Sequence, residues 1–343
     1  MRLGDTPAFA LISIYVLGCS RLLNAAIGDG PNTCIECHKD QVEHHANSHH
    51  AHSLAPLGNS PLEKLLLNLR QSPDGRLQYS SDGSQIAISE TGVSNSATLE
   101  WAFGAGAQGI TPVGRFGQLY FEHQFSYYTV LKGLAPTFGH PARVHTPLAE
   151  IGIVQNGREI SRCFNCHATG SRDGTDGPDV TAMVPGIQCE RCHGSGKQHV
   201  SAAKSGAPTA TIVRDIANPG RYSAKVKVEF CGQCHRLPPA DAVDEPEMEN
   251  PISVRFAPVG LMASRCFKES KTLSCLTCHD PHSNAKPRTS MSYSSQCMKC
   301  HASSTAAIRN CRRKDNQNCL NCHMKQASLG PYLRFTDHRI RIY

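Results

Sequence analysis

Seven copies of one pentapeptide, Cys-x-x-Cys-His, take up fourteen of the seventeen cysteines in this 343-residue chain. They are Cys34, Cys37 and His38; Cys163, Cys166 and His167; Cys189, Cys192 and His193; Cys231, Cys234 and His235; Cys275, Cys278 and His279; Cys297, Cys300 and His301; and Cys319, Cys322 and His323. Thiols at positions i and i+3 share one face of a helical turn. One turn can then add both sulfurs to the two vinyl groups of a single haem, while the adjacent histidine reaches the iron as proximal ligand. A lone Cys-x-x-Cys could equally be a redox dithiol or half a zinc site. Zinc knuckles do not need a histidine directly after the second cysteine, and here every copy has one. The chemistry is covalent haem attachment, and the expectation is seven haem c groups.

Each iron has a sixth position. A second histidine there gives a six-coordinate haem suited to electron transfer, and an open position allows substrate binding. Of the eighteen histidines, the seven in the motifs leave eleven. His44, His45, His49, His50 and His52 form a cluster, and His123, His140, His145, His199, His282 and His338 are scattered. Those six plus one from the cluster just cover seven haems. A lone histidine is ordinarily a core or surface residue. His199 and His282 stand in turns directly after motifs, and with one of His49 and His50 they are the first distal candidates. His338, His145, His140 and His123 follow in that order.

The elements that must position these groups are sparse. Hydrophobic residues make up 39% of the chain and aromatic residues 6%, so the haems themselves are expected to fill much of the interior. One motif lies at Cys34 and six crowd between Cys163 and His323. The haem-free stretch between them reads as a small β-rich module. Leu77–Ser89 forms two short strands around an Asp-Gly turn, and Leu99–Phe103 and Gln118–Val130 are rich in aromatic and β-branched residues. Its glycine run lacks the Lys-Ser/Thr ending and setting of a phosphate loop. The C-terminal half is expected to hold only short helices near the motifs.

The N-terminus reads as an export signal, with Arg2 before an apolar run from Pro7 to Gly18. Cleavage after Ala26-Ile27-Gly28 is one outcome. A lipid anchor at Cys19, after Val16-Leu17-Gly18, is the other. The expected organisation is a signal over 1–28, a first haem segment over 29–60, a haem-free β-rich insert over 61–135 and a six-haem domain over 136–343.

The stretch Cys34–Leu54, with Ser48, His50 and Ala51 in a Ser-x-His-Ala element, resembles the multihaem cytochromes related to the tetrahaem electron carrier of ammonia oxidisers. CFNCHATG…GIQCERCHGSGKQHV is similar to the central haem pair of that family. SRCF…LSCLTCHDPH, NCLNCHMK and FTDHRIR resemble the C-terminal part of larger relatives. The resemblance implies bis-histidine haems in close pairs, an electron-transfer role, and His282 as a ligand of a neighbouring haem. The fold class expected is therefore a mostly α and irregular multihaem cytochrome c scaffold with a haem-filled core, plus the small β-rich insertion.

The net charge of +7 fits this reading. Each oxidised haem brings roughly −1, from two propionates against a ferric centre. The excess is read as propionate pairing by arginines such as Arg143, Arg158, Arg162, Arg191, Arg214, Arg221 and Arg265, and not as nucleic-acid binding. Cys266 and Cys311 are either a disulfide, favoured outside the cytoplasm, or two buried thiols. The expected function is electron transfer between redox proteins or quinol-linked membrane complexes, in the periplasm or anchored at the outer membrane or cell surface. An enzyme acting on a small nitrogen or sulfur compound at a five-coordinate haem, and a subunit of a haem-lined filament or homo-oligomer, are the competing readings.

Overall fold

The structure is a computed structural model that describes residues 31–81, 85–90, 96–141, 150–238, 251–284, 290–301 and 318–343. Cys19, His145 and Cys311 lie outside these residues, as does the export signal.

A nine-stranded antiparallel sheet dominates the first half. Its strands are β1 (Leu54–Pro56), β2 (Leu77–Ser81), β3 (Ile86–Glu90), β4 (Ser96–Phe103), β5 (Gly109–Phe116), β6 (Leu119–His123), β7 (Phe125–Tyr128), β8 (Gly133–Pro136) and β9 (Gly152–Gln155). The main path runs β2-β3-β4-β5-β6-β9, with β1 on β4, and β7 joining β5 to β8. Apolar residues of period two build it: Leu77 and Tyr79, Ile86 and Ile88, and Ala97 and Leu99 all point to one buried face. The short helix Pro61–Leu69 covers that face with Leu62 and Leu66. Its start is fixed by Ser60, whose side chain accepts from the Leu62 amide, and by Pro61 in the first turn, a cap contributing about 1 kcal/mol.

The other face is reached through a bulge. The β4–β5 register shifts between Leu99 and Trp101, so one extra residue turns Trp101 and Phe103 away from the first cluster. Together with Val113 and Tyr120 they meet Ile160 and Phe164 on the helix Gly157–His167, which carries motif two. Phe164 is fully buried, with the Phe103 and Trp101 rings at 5.1 and 5.5 Å. Burying such a side chain contributes about 1.5–3 kcal/mol.

These facts overturn the mostly α expectation. The described residues are 39% helical and 25% strand, and the sheet is large. Strands were expected over Leu77–Ser89, Leu99–Phe103 and Gln118–Val130, but β1, β5, β8 and β9 and the joining of all nine into one sheet were not. That sheet also takes β1 from beside motif one and β9 from just before motif two. Beyond it, short helices and turns carry the motifs, with a hairpin of Gln326–Leu329 and Leu333–Thr336 near the C-terminus. No helix among the described residues is long and apolar enough to cross a membrane.

His123 belongs to the sheet core. It is fully buried; its Nδ1 lies 2.8 Å from the Ile151 carbonyl and its Nε2 lies 2.9 Å from the Tyr79 hydroxyl, which donates to it. Burial pushes its pKa down to about 4. The unfolded chain therefore takes up a proton between about pH 6.5 and 4 that the folded chain refuses, and acidification through that window removes stability. We expect Tyr79→Phe to cost about 1–3 kcal/mol in denaturant unfolding with haem content unchanged. His123→Gln should flatten the acid side of the stability–pH profile relative to wild type.

Candidate haem-binding sites

Each described motif sits on a helical turn that puts both sulfurs on one side. The amides of His38, His279 and His301 each bond the carbonyl of their first cysteine, Cys34, Cys275 and Cys297, at 2.9 Å. Local caps start the turns. Asn156 accepts from the Glu159 amide before motif two, Ser223 from Val226 before motif four, and Asn318 from Asn321 at motif seven. Ser274 and Thr277 close a capping box at motif five.

Four motif histidines are each faced by a histidine from elsewhere in the chain. His38 and His199 have ring centroids 6.2 Å apart, His50 and His235 6.1 Å, His193 and His282 6.1 Å, and His279 and His338 6.2 Å. A ligating imidazole nitrogen lies about 2 Å from its metal, so two rings across one iron have centroids roughly 6 Å apart. The residues therefore fit a haem between each pair. Stacking alone does not account for this spacing, because the interplanar angles run from 11° to 62°.

The distal-side rings are aimed by fixing the nitrogen that faces away from the partner ring. Nδ1 of His50 lies 3.1 Å from the Pro281 carbonyl, that of His199 2.8 Å from Ile212, and that of His338 2.9 Å from Thr336. His282 Nδ1 lies 3.1 Å from Asp280 Oδ1. On the motif side, His167, His193 and His323 hold the carbonyls of Ser53, Ala217 and Arg341 at 2.9, 2.8 and 3.0 Å. An anchored Nδ1–H sets the tautomer and leaves Nε2 for a metal. Burial lowers the pKa values of His167, His193 and His338. His235 is pushed down to about 4 by burial and then by His50, His167 and other imidazoles. Neutral rings are the form that binds iron.

Other distal candidates are placed elsewhere. His123 spends both nitrogens in the sheet. His140 Nε2 lies 3.2 Å from Glu122 Oε2 and its Nδ1 3.3 Å from Gln124 Oε1. Neither is brought to face a motif histidine among the described residues. Among the described residues no non-motif histidine ring faces His167, His301 or His323. His167 instead has the Phe103 ring at 5.3 Å. Within the histidine cluster, His52 Nε2 lies 2.9 Å from the Ala46 carbonyl, and His49 contributes its backbone amide to Asn284 at 2.6 Å.

Cysteines of neighbouring motifs lie close enough to influence one another, Cys166 with Cys234 and Cys231 with Cys275. Cys192 lies within the electrostatic reach of Cys231, and His193 within that of His38 and His199. Cys297 bonds Cys319 and senses Cys278. These proximities relate motif three to motifs one and four, motif four to motifs two and five, and motif six to motifs five and seven.

Two glycines that sequence reasoning passed over set the approach of distal histidines. At Gly186, φ is +79° and a Cβ would lie 2.0 Å from the Ala51 carbonyl oxygen; the next amide, Ile187, bonds the His50 carbonyl at 2.8 Å. At Gly260 a Cβ would lie 2.7 Å from the Arg339 nitrogen and 3.0 Å from the His338 carbonyl carbon. The available signal was their place, Gly186 three residues before motif three and Gly260 in an otherwise apolar helix.

With this geometry in view, residues 143–194 match the family model of cytochrome c554 and c-prime. Among solved structures, the outer cell wall cytochrome OcwA is similar with a TM-score of 0.52 and 15% identity, over 92% of this chain and 79% of that one. An undecaheme cytochrome from the S-layer of Carboxydothermus ferrireducens is similar with a TM-score of 0.46 and 13% identity, over 82% of this chain and 43% of that one. No curated protein matches by sequence. Motifs, family match and fold define a multihaem c-type cytochrome carrying covalently bound haem c.

Gly260→Val should push His338 off its position against His279. We expect visible and near-infrared spectra of the oxidised variant to show one added high-spin haem, with haem content by mass unchanged.

Proposed function

We propose that this chain is a seven-haem electron-transfer protein working outside the cytoplasm, in periplasmic or extracellular respiration. The seven motif histidines are the proximal ligands. His199 is the distal ligand for motif one, His282 for motif three, His50 for motif four and His338 for motif five. The observation that supports this reading is the set of four histidine pairs at 6.1–6.2 Å, each joining a motif histidine to a histidine with an anchored Nδ1. Six-coordinate haems pass electrons with little rearrangement, and the close spacing of neighbouring motifs supports transfer between them. The name of the outer cell wall cytochrome favours action beyond the cytoplasmic membrane. Partners are redox proteins or quinol-linked membrane complexes. A lipid at Cys19 and a Cys266–Cys311 bridge belong to the same reading, as do the domain bounds given above.

His123 and His140, both held by protein partners, favour a second reading for part of the molecule. At least one haem of motifs two, six and seven keeps an exchangeable position and reacts with a small nitrogen or sulfur species.

Intact mass of the mature protein tests the count. Seven haems are expected, and a smaller number or bound zinc would sink it. Replacing His199, His50 or His282 singly by Ala should each create one high-spin haem, whereas His140→Ala should create none. Electron paramagnetic resonance of the oxidised wild type decides between the readings. A high-spin ferric signal that shifts with nitrite or hydroxylamine favours the enzyme, and its absence leaves the carrier.

A further inference from the structure

The net charge of the chain is unevenly placed. Residues 297–343, which hold motifs six and seven, carry nine lysines and arginines against two acids, Asp315 and Asp337. That stretch alone accounts for the whole net charge of +7, and the 296 residues before it are balanced. With each oxidised haem bringing roughly −1, two haems leave this end at about +5, and five haems take the rest to about −5. Propionates therefore answer only a small part of the positive charge here, and the haem-loaded molecule is an electrostatic dipole.

The described residues set that charge around two motifs at the surface. Motifs six and seven adjoin, with the Cys319 amide donating to Ser294 Oγ of the motif-six helix Ser290–Met298 at 2.9 Å. Cys300 and Cys322 are exposed, whereas no cysteine of motifs three, four or five is. Lys299 stands inside motif six, Lys325 two residues after His323, and Arg334 on the strand paired with Gln326–Leu329; all three are exposed. Arg341 is joined to motif seven by its backbone, its amide bonding the His323 carbonyl at 3.2 Å. Asp337 is spent within the chain. Its carboxylate accepts from the Arg339 amide at 2.8 Å and the Tyr343 hydroxyl at 2.6 Å, and lies 3.4 Å from Arg341 Nη2. Apolar surface is interleaved with the cations. Met298, Ile342 and Tyr343 are 37%, 86% and 44% exposed, and Lys325 and Arg341 stand 5.1 and 4.7 Å from the Tyr343 ring. The other exposed motif cysteines, Cys37 and Cys163, belong to the anionic part.

We propose that the surface around motifs six and seven is the docking face for an acidic redox protein, and that electrons cross there. The inference rests on the electron-transfer reading above. Complementary charge draws a partner in and sets its orientation. The exposed apolar residues offer a dry centre to the contact, and the exposed cysteines bring haem edges to it. The negative charge of the remainder repels an acidic partner from motifs one and two. Three other occupants offer anionic surface: residues 241–249 of the chain itself, with five acids and no base, the anionic part of a second copy, and anionic lipid.

The test uses the mature holoprotein and an acidic flavodoxin as probe. The flavodoxin hydroquinone, itself an anion, gives one electron to a ferric haem and becomes the neutral semiquinone, with no proton released. Stopped-flow reduction of the wild type should slow about tenfold as salt rises from low to several times physiological ionic strength. The triple variant Lys299→Gln/Lys325→Gln/Arg334→Gln should lose about tenfold in rate at low salt and most of the salt dependence, with haem content and reduction by dithionite unchanged. The charge-matched triple Lys39→Gln/Lys204→Gln/Lys225→Gln, at exposed sites elsewhere, should stay within about twofold of wild type. Carbodiimide should cross-link Lys299 or Lys325 to flavodoxin carboxylates. If the first triple does not mature, Lys325→Gln and the wild-type cross-links give the same readout. Equal losses in the two triples would overturn the proposal. So would cross-links from Lys299 or Lys325 to residues 241–249, which assign the charge to the chain's own acids. Salt-sensitive self-association, or binding to phosphatidylglycerol vesicles, that disappears in the first triple while flavodoxin reduction is unchanged would overturn it in favour of a second copy or lipid. Haems that dithionite reduces fully but flavodoxin reduces without salt dependence sink this proposal alone. Haems that dithionite leaves oxidised sink the electron-transfer reading beneath it.

Discussion

The spacing on which the rest depends is that of two imidazoles from distant parts of the chain facing each other about 6 Å apart, the span that metal–nitrogen bonds of about 2 Å on each side would set. His38 meets His199, and His50 meets His235, so the first segment is tied to the C-terminal half at two points. Each tie must hold a ring to a fraction of an ångström, in a region with few apolar side chains to do so. Backbone carbonyls perform that task. Ile212, Pro281 and Thr336 each accept from a distal-side ring. Ser53 shows how tightly the ties interlock. Its hydroxyl donates to the carbonyls of His50 and His167, and its own carbonyl accepts from His167 Nδ1.

The sheet supplies what the haem-bearing region lacks, a conventional apolar core. Tyr120 and Phe121 are successive residues of β6 and belong to different clusters, so the sheet is buried on both faces. One face closes under the helix Pro61–Leu69, and the other receives the motif-two helix on Trp101, Phe103 and Phe164. The β4 bulge makes that second face. Pairing of β9 with β6 leads straight into the motif-two helix, and at Gly152 the strands approach so closely that a Cβ would lie 2.0 Å from the Glu122 carbonyl oxygen. Motif two is thereby the haem site most firmly fixed to ordinary protein packing.

The motifs were plain in the sequence because thioether attachment demands a fixed local spacing, which the chain must write out each time. The distal partners were only partly so. His199 and His282 stand next to motifs, but each faces the histidine of a different motif, and which one is settled by tertiary contacts. His123 looked like a candidate because composition does not tell an inward-facing strand histidine from a ligand, whereas His140 stands in the turn after β8. Inward alternation in β6, with Phe121 and His123 both buried, was the overlooked signal. The extent of the sheet was underestimated for a related reason. Leu54–Pro56 and Gly152–Gln155 are too short to announce themselves as strands, and they become strands only by pairing with β4 and β6.

The pattern of contacts between motifs gives the proposed conduction its shape. Motif four lies near motif two at Cys234 and Cys166, near motif five at Cys231 and Cys275, and near motif three. His282, in the turn after motif five, faces His193 of motif three, so the central motifs are joined by more than one approach, while motif two stands against the sheet.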